Sequence, residues 1–152
     1  MEKTVKEFVD KGEKILDGYI RPLKGELKEE YQKMLKACGF LDTEEIYAST
    51  AFGDLLAIDH EGYVFLLDLL NGMKTVICAN AELFFSLITD SEYQKDYFRI
   101  EEYRFAINMF GELDESECFI YEPIPALGGE MNRDDISKGK TREYIQLLIS
   151  FM

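Results

Sequence analysis

The chain has 152 residues, 47% of them hydrophobic, which is enough for one domain with a sizeable buried core. Its 30 acidic side chains outnumber its 17 basic ones, for a formal net charge of −13 at pH 7. This excess argues against binding to DNA or to an anionic membrane, because neutralising phosphates needs a basic face.

The acidic excess is uneven along the chain. Residues 1–36 have a net charge of +1, whereas residues 37–152 hold 22 acidic and 8 basic side chains, a net charge of −14. Such a surface favours a basic protein partner, through electrostatic steering and charge complementarity. Acidity that only keeps a protein soluble explains the same totals, and charge alone does not separate the two interpretations.

The expected compartment is the cytoplasm. No stretch reaches the roughly 18 consecutive apolar residues of a membrane span, and residues 1–14 alternate in charge where a signal peptide would be apolar. Cys38, Cys78 and Cys118 are odd in number and have apolar or small neighbours, so we expect three buried free thiols. With one histidine and no CxxC pair, neither a metal site nor a cofactor is predicted.

Two amphipathic helices are predicted before Cys38. The first begins at a capping box, Thr4–Glu7, and its apolar side chains recur at helical spacing as far as Tyr19. The second covers residues 23–36, with Gly39 as its stop.

Residues 46–79 form the centre of the predicted fold, as three or four antiparallel strands joined by tight turns. The turns are residues 59–62 and Asn71-Gly72, the second of type I′, which needs positive φ at both central residues. The run 63–70 is apolar on both faces except at Asp68, as in a central strand that is covered on both sides.

Three helices are expected after the sheet, over residues 81–89, 91–98 and 101–110. Asn80 and Asp90 are the expected N-caps of the first two, because their side-chain oxygens can accept hydrogen bonds from the first-turn N–H groups.

Residues 117–121 resemble one more strand, which we expect to join the main sheet. Pro123 and Pro125 forbid its continuation, since proline has no N–H to donate to a ladder. The polar run over residues 128–140 is predicted to be a loop, and residues 141–152 a closing helix.

Together these elements predict an α+β fold in which an antiparallel β-meander is flanked by N- and C-terminal helices. We expect a single domain, residues 1–152, with a helical N-terminal part (1–38) and a mixed α+β body (44–152). The sequence has no internal repeat and no linker that would separate domains.

Patterns that carry catalysis are almost absent. His60, the only histidine, falls at a predicted hairpin tip between Asp59 and Glu61, where a solvated turn residue is the simpler interpretation. No glycine-rich phosphate-binding loop follows a strand. No catalytic residue is predicted, and the chain is interpreted as a non-enzyme.

Four carboxylates are the candidate partner-binding residues. Asp68 lies on the apolar face of its strand, so it must find donors such as backbone amides or Arg104, or reach water. A structural role is the preferred interpretation of this residue, and a site role is the alternative. Asp54, Asp59 and Glu61 are expected to be exposed, where they would dock a cation-rich partner.

At residues 49–72, STAFGDLLAIDHEGYVFLLDLLNG is similar to a known bacterial pattern of Ala-Phe-Gly-Asp, two short strands and glycine turns. The segments LFFSLITDSEYQKDYF, FGELDESECFIYEPIPALGG and TREYIQLLISF continue the likeness in the same order, over residues 44–152 in all. On these motifs the chain resembles the C-terminal domain of the GAD-like immunity proteins linked to type VI secretion DNase toxins. The family's longer GAD-like module is abbreviated here to the two N-terminal helices, and the chain has no tryptophan.

The resemblance implies an antitoxin that binds a cognate basic toxin, a DNase, and blocks its active site. Two other hypotheses remain: a regulatory or scaffold domain that binds another host protein, and an enzyme that uses Asp68. A toxin gene beside this one would favour immunity over a scaffold. A deep polar pocket converging on Asp68 would favour an enzyme, whereas the immunity hypothesis expects a concentrated acidic patch near the hairpins.

Overall fold

A five-stranded antiparallel meander forms the centre of the fold. The computed structural model describes all residues, 1–152. Its strands pair in the order in which they occur along the chain: β1 (Ile20–Pro22), β2 (Glu45–Thr50), β3 (Leu55–Ile58), β4 (Val64–Asp68) and β5 (Met73–Cys78). The predicted α+β fold, with its antiparallel meander, is confirmed.

β3 lies in the middle of the sheet, and all of its residues are buried. β4 has a strand on each side, as its apolar pattern predicts. The sequence pattern does not predict β1, because three residues ending in Pro22 are too short to show alternation. This short strand pairs with the end of β2, Ile20 opposite Thr50.

The turn between β4 and β5 differs from the predicted type I′ hairpin. The strands are in register at Asp68 and Met73, so residues 69–72 all belong to the connection. Gly72 has a φ of 67°, but Asn71 is not among the residues with positive φ, and a type I′ turn requires both. Asn71 instead lies where its N–H can reach the Asp68 carboxylate.

The first helix, α1 (Lys3–Lys11), is shorter than predicted. It ends at Gly12, which has a φ of 70° and donates its N–H to the Phe8 carbonyl at 3.3 Å. A left-handed glycine ends a helix in this way, so the prediction of a helix as far as Tyr19 is wrong. The apolar residues after Gly12 instead form a 3₁₀ turn, Leu16–Gly18, that leads into β1.

The remaining helices lie close to their predicted positions: α2 (Gly25–Ala37), α3 (Ala81–Leu87), α4 (Ser91–Tyr97), α5 (Ile100–Phe110) and α6 (Thr141–Ser150). The caps predicted for α3 and α4 are also confirmed, whereas the capping box predicted at Thr4–Glu7 is wrong, because α1 begins at Lys3 and Glu2 is its N-cap. The Asn80 side chain accepts from the Leu83 N–H at 2.8 Å, and the Asp90 side chain accepts from the Glu92 N–H at 3.4 Å.

A second sheet pairs β6 (Glu117–Tyr121) with β7 (Ile136–Lys140). The predictions that residues 117–121 join the main sheet and that residues 128–140 form only a loop are therefore wrong. β7 has the sequence ISKGK, which is too polar to show the apolar pattern that predicts a strand. One backbone hydrogen bond, from the Phe119 N–H to the Ala51 carbonyl at 2.7 Å, connects the two sheets.

One continuous core of 40 buried apolar residues lies between the sheets and the helices. All three cysteines are free: Cys78 and Cys118 are buried as predicted, but Cys38 is exposed at the end of α2, so that prediction is wrong. None of the helices combines the length and the apolar character needed to cross a lipid bilayer.

Candidate functional site

The four predicted carboxylates lie at the two opposite ends of the β3–β4 ladder. Asp54 precedes β3 and Asp68 ends β4, next to the pairing of Leu55 with Leu67. Asp59 and Glu61 lie in the hairpin at the other end. At about 3.4 Å per residue, roughly 17 Å of strand separates the two pairs. We call them the buried pair (Asp54, which is buried, and Asp68, whose side chain is 21% exposed) and the hairpin pair (Asp59, Glu61).

The hairpin pair lies in a turn that Asp59 itself stabilises. Its Oδ1 accepts from the N–H groups of Glu61 at 3.0 Å and of Tyr63 at 2.9 Å. Gly62 supplies a φ of 95°, which suits glycine in a tight turn. The side chains of Glu61 and His60 are 64% and 71% exposed, so the prediction of a solvated histidine is confirmed.

A shallow groove of about 480 Å³ adjoins the hairpin and adds two carboxylates that sequence reasoning missed. Glu2 is the N-cap of α1, and Glu45 opens β2 opposite Ile58. Lys28 binds Glu45 at 2.5 Å, whereas no lysine or arginine lies within 4 Å of Glu2, Asp59 or Glu61. Glu2 reaches this groove because α1 packs against β2, and no pattern in the sequence predicts that packing.

Asp54 is 4% exposed, so the expectation that it is exposed is wrong. Its backbone closes a turn with Thr50, whose N–H donates to the Asp54 carbonyl at 2.8 Å. Gly53 has a φ of 83°, and a Cβ there would lie 3.0 Å from the Tyr144 ring. The Tyr144 side chain on α6 therefore covers this turn and excludes water from Asp54.

Asp68 is held by donors from its own turn and from a distant arginine. It accepts from the Asn71 N–H at 3.2 Å and from the Asn71 side-chain amide at 2.8 Å. The Arg99 guanidinium lies 3.6 Å away, so the arginine partner is Arg99 and not the predicted Arg104, which is exposed on α5. The predicted backbone donor is confirmed.

Arg99 stands at the start of α5 and faces both members of the buried pair. Burial lowers the pKa of its guanidinium, but the carboxylates of Asp54 and Asp68 outweigh burial and raise it. Burial raises the pKa of Asp54 to about 7, although Arg99 opposes this shift. Asp54 Oδ1 and Arg99 Nη1 are both buried without a hydrogen-bond partner, as in an ion pair that is not fully closed.

The arrangement at the buried pair is structural in character. None of the four main grooves of the surface is lined by Asp54 or Asp68, so the deep polar pocket that the enzyme hypothesis requires is not found there. Through its electrostatic interaction with Arg99, the pair instead links the junction of α4 and α5 to the end of the sheet.

A second acidic surface, in the connection between α5 and β6, was missed by sequence reasoning. Residues 112–117 hold four acidic and no basic side chains, a run that is visible in the sequence as ELDESE. Asp114 Oδ1 accepts from both the N–H and the hydroxyl of Ser116 at 2.8 Å, and these bonds lower the pKa of Asp114. This surface lies at the Thr50 end of β2, because Arg21, which pairs with Ser49, donates to the Glu117 carbonyl.

Residues 79–152 match the family described as T6SS immunity protein Tdi1, C-terminal. The resemblance to a type VI secretion immunity family that the sequence motifs indicate is thereby confirmed over this part of the chain. No curated protein matches the chain in sequence.

The fold is shared with the crystal structure of Atu4351 from Agrobacterium tumefaciens. The two chains superpose with a TM-score of 0.61 at 14% sequence identity, over 88% of this chain and 67% of the other. The similarity shows a common fold. The family match lies C-terminal to all four predicted carboxylates, which occupy residues 54–68.

Proposed function

We propose that the chain is an immunity protein that binds a toxin delivered by type VI secretion and blocks it. The observation that carries the proposal is the match of residues 79–152 to an immunity family of that system. An immunity protein acts by occupying a surface of its partner, so it needs complementarity and not catalytic groups.

We further propose that the partner is a nuclease. A nuclease groove is basic because it holds phosphate groups, and a protein with a net charge of −14 over residues 37–152 is complementary to it. Electrostatic complementarity of this kind accelerates encounter and orients the two proteins before they dock. In this account the protein acts in the cytoplasm of the cell that makes it, without catalysing a reaction.

The proposed contact surface is the hairpin pair. Neither Asp59 nor Glu61 lies within 4 Å of a lysine or arginine, so their charge is available to a basic protein, whereas the neighbouring Glu2 has one oxygen buried and uses the other to cap α1. The hairpin is held rigid by the Asp59 hydrogen bonds, which lowers the entropic cost of docking. Asp54 and Asp68 support the sheet beneath and do not touch the partner directly.

Co-expression with a type VI secretion toxin, sought first among the genes beside this one, tests this function. Cells that produce both proteins are expected to grow, and the two purified proteins to associate at low salt. Continued death of the co-expressing cells, together with no association, would sink the proposal. If the protein binds and protects against a toxin that is not a nuclease, the proposed immunity function stands and the proposal that the partner is a nuclease is wrong.

A further inference from the structure

A groove of about 860 Å³ lies on the side of the molecule where the N-terminal parts of α2 and α6 meet β1. Five basic and four acidic side chains line it, so its local charge is positive in a chain with a net charge of −13. One of the acids, Glu30, is already neutralised by Arg142, which donates to it at 2.8 and 3.1 Å.

The other bases of this groove have no carboxylate partner. Lys14, Lys24 and Lys140 are each more than 4 Å from any carboxylate oxygen. Arg21 is only 6% exposed, and its guanidinium donates to two backbone carbonyls, of Glu117 at 2.6 Å and of Thr50 at 3.4 Å. A buried cation that meets only neutral acceptors is unfavourable unless an anion comes close.

Two helix N-termini contribute to the same groove. α2 has 13 residues and α6 has 10, and neither begins with a side chain that caps its first turn. The Thr141 N–H of α6 already donates to the Ser116 carbonyl at 2.9 Å, and each first turn carries one glutamate, Glu26 in α2 and Glu143 in α6, so the remaining first-turn N–H groups are the available donors. The first-turn N–H groups of a helix have no partner within it, and with the helix dipole they favour an anion.

A buried donor supports the same conclusion independently. Tyr31 lines the groove, is 1% exposed, and its hydroxyl has no hydrogen-bond partner. Its surroundings include Glu30, Arg142 and Glu143, which places it beside the first turn of α6. An unpaired hydroxyl at such a depth costs free energy unless a ligand or a water accepts from it.

We propose that this groove binds a phosphate group, either as free orthophosphate or as the 5′-phosphate of a nucleoside monophosphate. Lys24 and Lys140, the N-cap residues of α2 and α6, supply charge, while the two helix N-termini supply N–H donors. A long polyanion is excluded by the acidic remainder of the surface, whereas one phosphate group meets only the local field. The proposal does not depend on the immunity function.

Isothermal titration of the full chain with orthophosphate and with dAMP, at constant ionic strength against chloride, tests the site. Both probes are expected to bind, and Lys24→Gln combined with Lys140→Gln should weaken binding by about tenfold. The matched control is Lys33→Gln combined with Lys36→Gln, two exposed lysines of α2 outside the groove, which should leave affinity within about twofold.

The same titration distinguishes the two possible ligands, orthophosphate and a nucleoside monophosphate. Equal affinity for orthophosphate and dAMP means that the phosphate group alone is recognised, and tighter binding of dAMP means that the groove takes a nucleotide. No heat and no thermal stabilisation by either probe would overturn the proposal. Equal weakening by the groove variant and the control variant would do so as well, because binding would then follow overall charge.

Discussion

The two ends of the β3–β4 ladder carry the same kind of side chain in opposite surroundings. At one end Asp54 is 4% exposed and faces Arg99, and burial raises its pKa to about 7. At the other end Glu61 is 64% exposed on a hairpin with no lysine or arginine nearby. The difference arises from what packs over each end, since Tyr144 and the α4–α5 junction cover the first, whereas only a shallow groove beside Glu2 and Glu45 adjoins the second.

This comparison shows that an acidic residue in a turn is not by itself a docking group. The charge of a covered carboxylate interacts with groups inside the protein, so it contributes to the free energy of unfolding. The charge of an uncovered carboxylate is free to interact with a partner and has little effect on the free energy of unfolding. Substitutions at the two ends separate these roles, because those at the covered end should change the free energy of unfolding and those at the uncovered end mainly the binding of a partner.

The largest effect is expected for the pH dependence of Asp54→Asn. Between its unfolded pKa near 4 and its folded pKa of about 7, the folded protein holds a proton that the unfolded chain releases. The wild type therefore keeps this contribution below about pH 4 and loses up to about 4 kcal/mol of it by pH 7. Asparagine does not titrate. The free energy of unfolding of the variant, measured in urea, should therefore rise relative to that of the wild type as the pH increases from 4 to 7.

A difference between Asp54→Asn and the wild type that stays constant from pH 4 to pH 8 would contradict a buried Asp54. The matched variant at the exposed end is Glu61→Gln. Its unfolding free energy should follow the wild type at every pH, to within about 0.5 kcal/mol.

Arg99→Met should destabilise the protein by about 3 kcal/mol at pH 8, because it leaves the carboxylates of the buried pair without their cation. The loss should be smaller at pH 5.5, where Asp54 takes up a proton. Urea unfolding at both pH values measures this effect. An equal loss at the two values would mean that Arg99 acts through packing alone.

Gly53→Ala and Gly62→Ala compare the two ends through their glycines. Both positions have positive φ, but a Cβ at Gly53 would lie 3.0 Å from the Tyr144 ring, whereas nothing lies within 4 Å at Gly62. Backbone strain should cost about 1 kcal/mol at each site, and the clash should add about 1 kcal/mol or more at Gly53. Equal losses in thermal unfolding would show that Tyr144 does not close over the turn.

A small effect, above only that of Glu61→Gln, is expected for Asp59→Ala. It removes two hydrogen bonds within the hairpin and should cost about 1 kcal/mol. Asp59→Asn keeps one acceptor oxygen and should lose less. A loss as large as that of Arg99→Met would mean that the hairpin is part of the cooperative core.

Local signals in the sequence predicted much of the fold. The meander, the caps Asn80 and Asp90, and the buried face of the closing helix all depend on residue types within a few positions. The errors occur where packing decides. The residues after Gly12, where the first helix ends in a left-handed conformation, turn back so that Ile15 pairs with Ile20, and β7 is a strand because β6 lies beside it.

The candidate site was predictable only in part. The exposure of Glu61 could be recognised because polar residues and a glycine surround it in the sequence, whereas Asp59, whose Oδ1 accepts from two backbone N–H groups, is half-buried and not exposed as expected. The burial of Asp54 could not, since AFGD contains no sign of the Tyr144 ring, which comes from 90 residues further along the chain. Glu2 and Glu45 likewise reach the hairpin only through tertiary packing.

The most direct test of the account is the association rate of the protein with the neighbouring toxin, measured for two charge-reversed variants of equal net charge. Asp59→Lys with Glu61→Lys changes the hairpin, and Glu112→Lys with Glu115→Lys changes the acidic run at the opposite end. We predict that the hairpin variant associates about tenfold more slowly at low salt and that the deficit shrinks in high salt, whereas the control stays within about twofold of the wild type. Equal slowing of both variants, or a larger effect of the control, would contradict a contact surface at the hairpin.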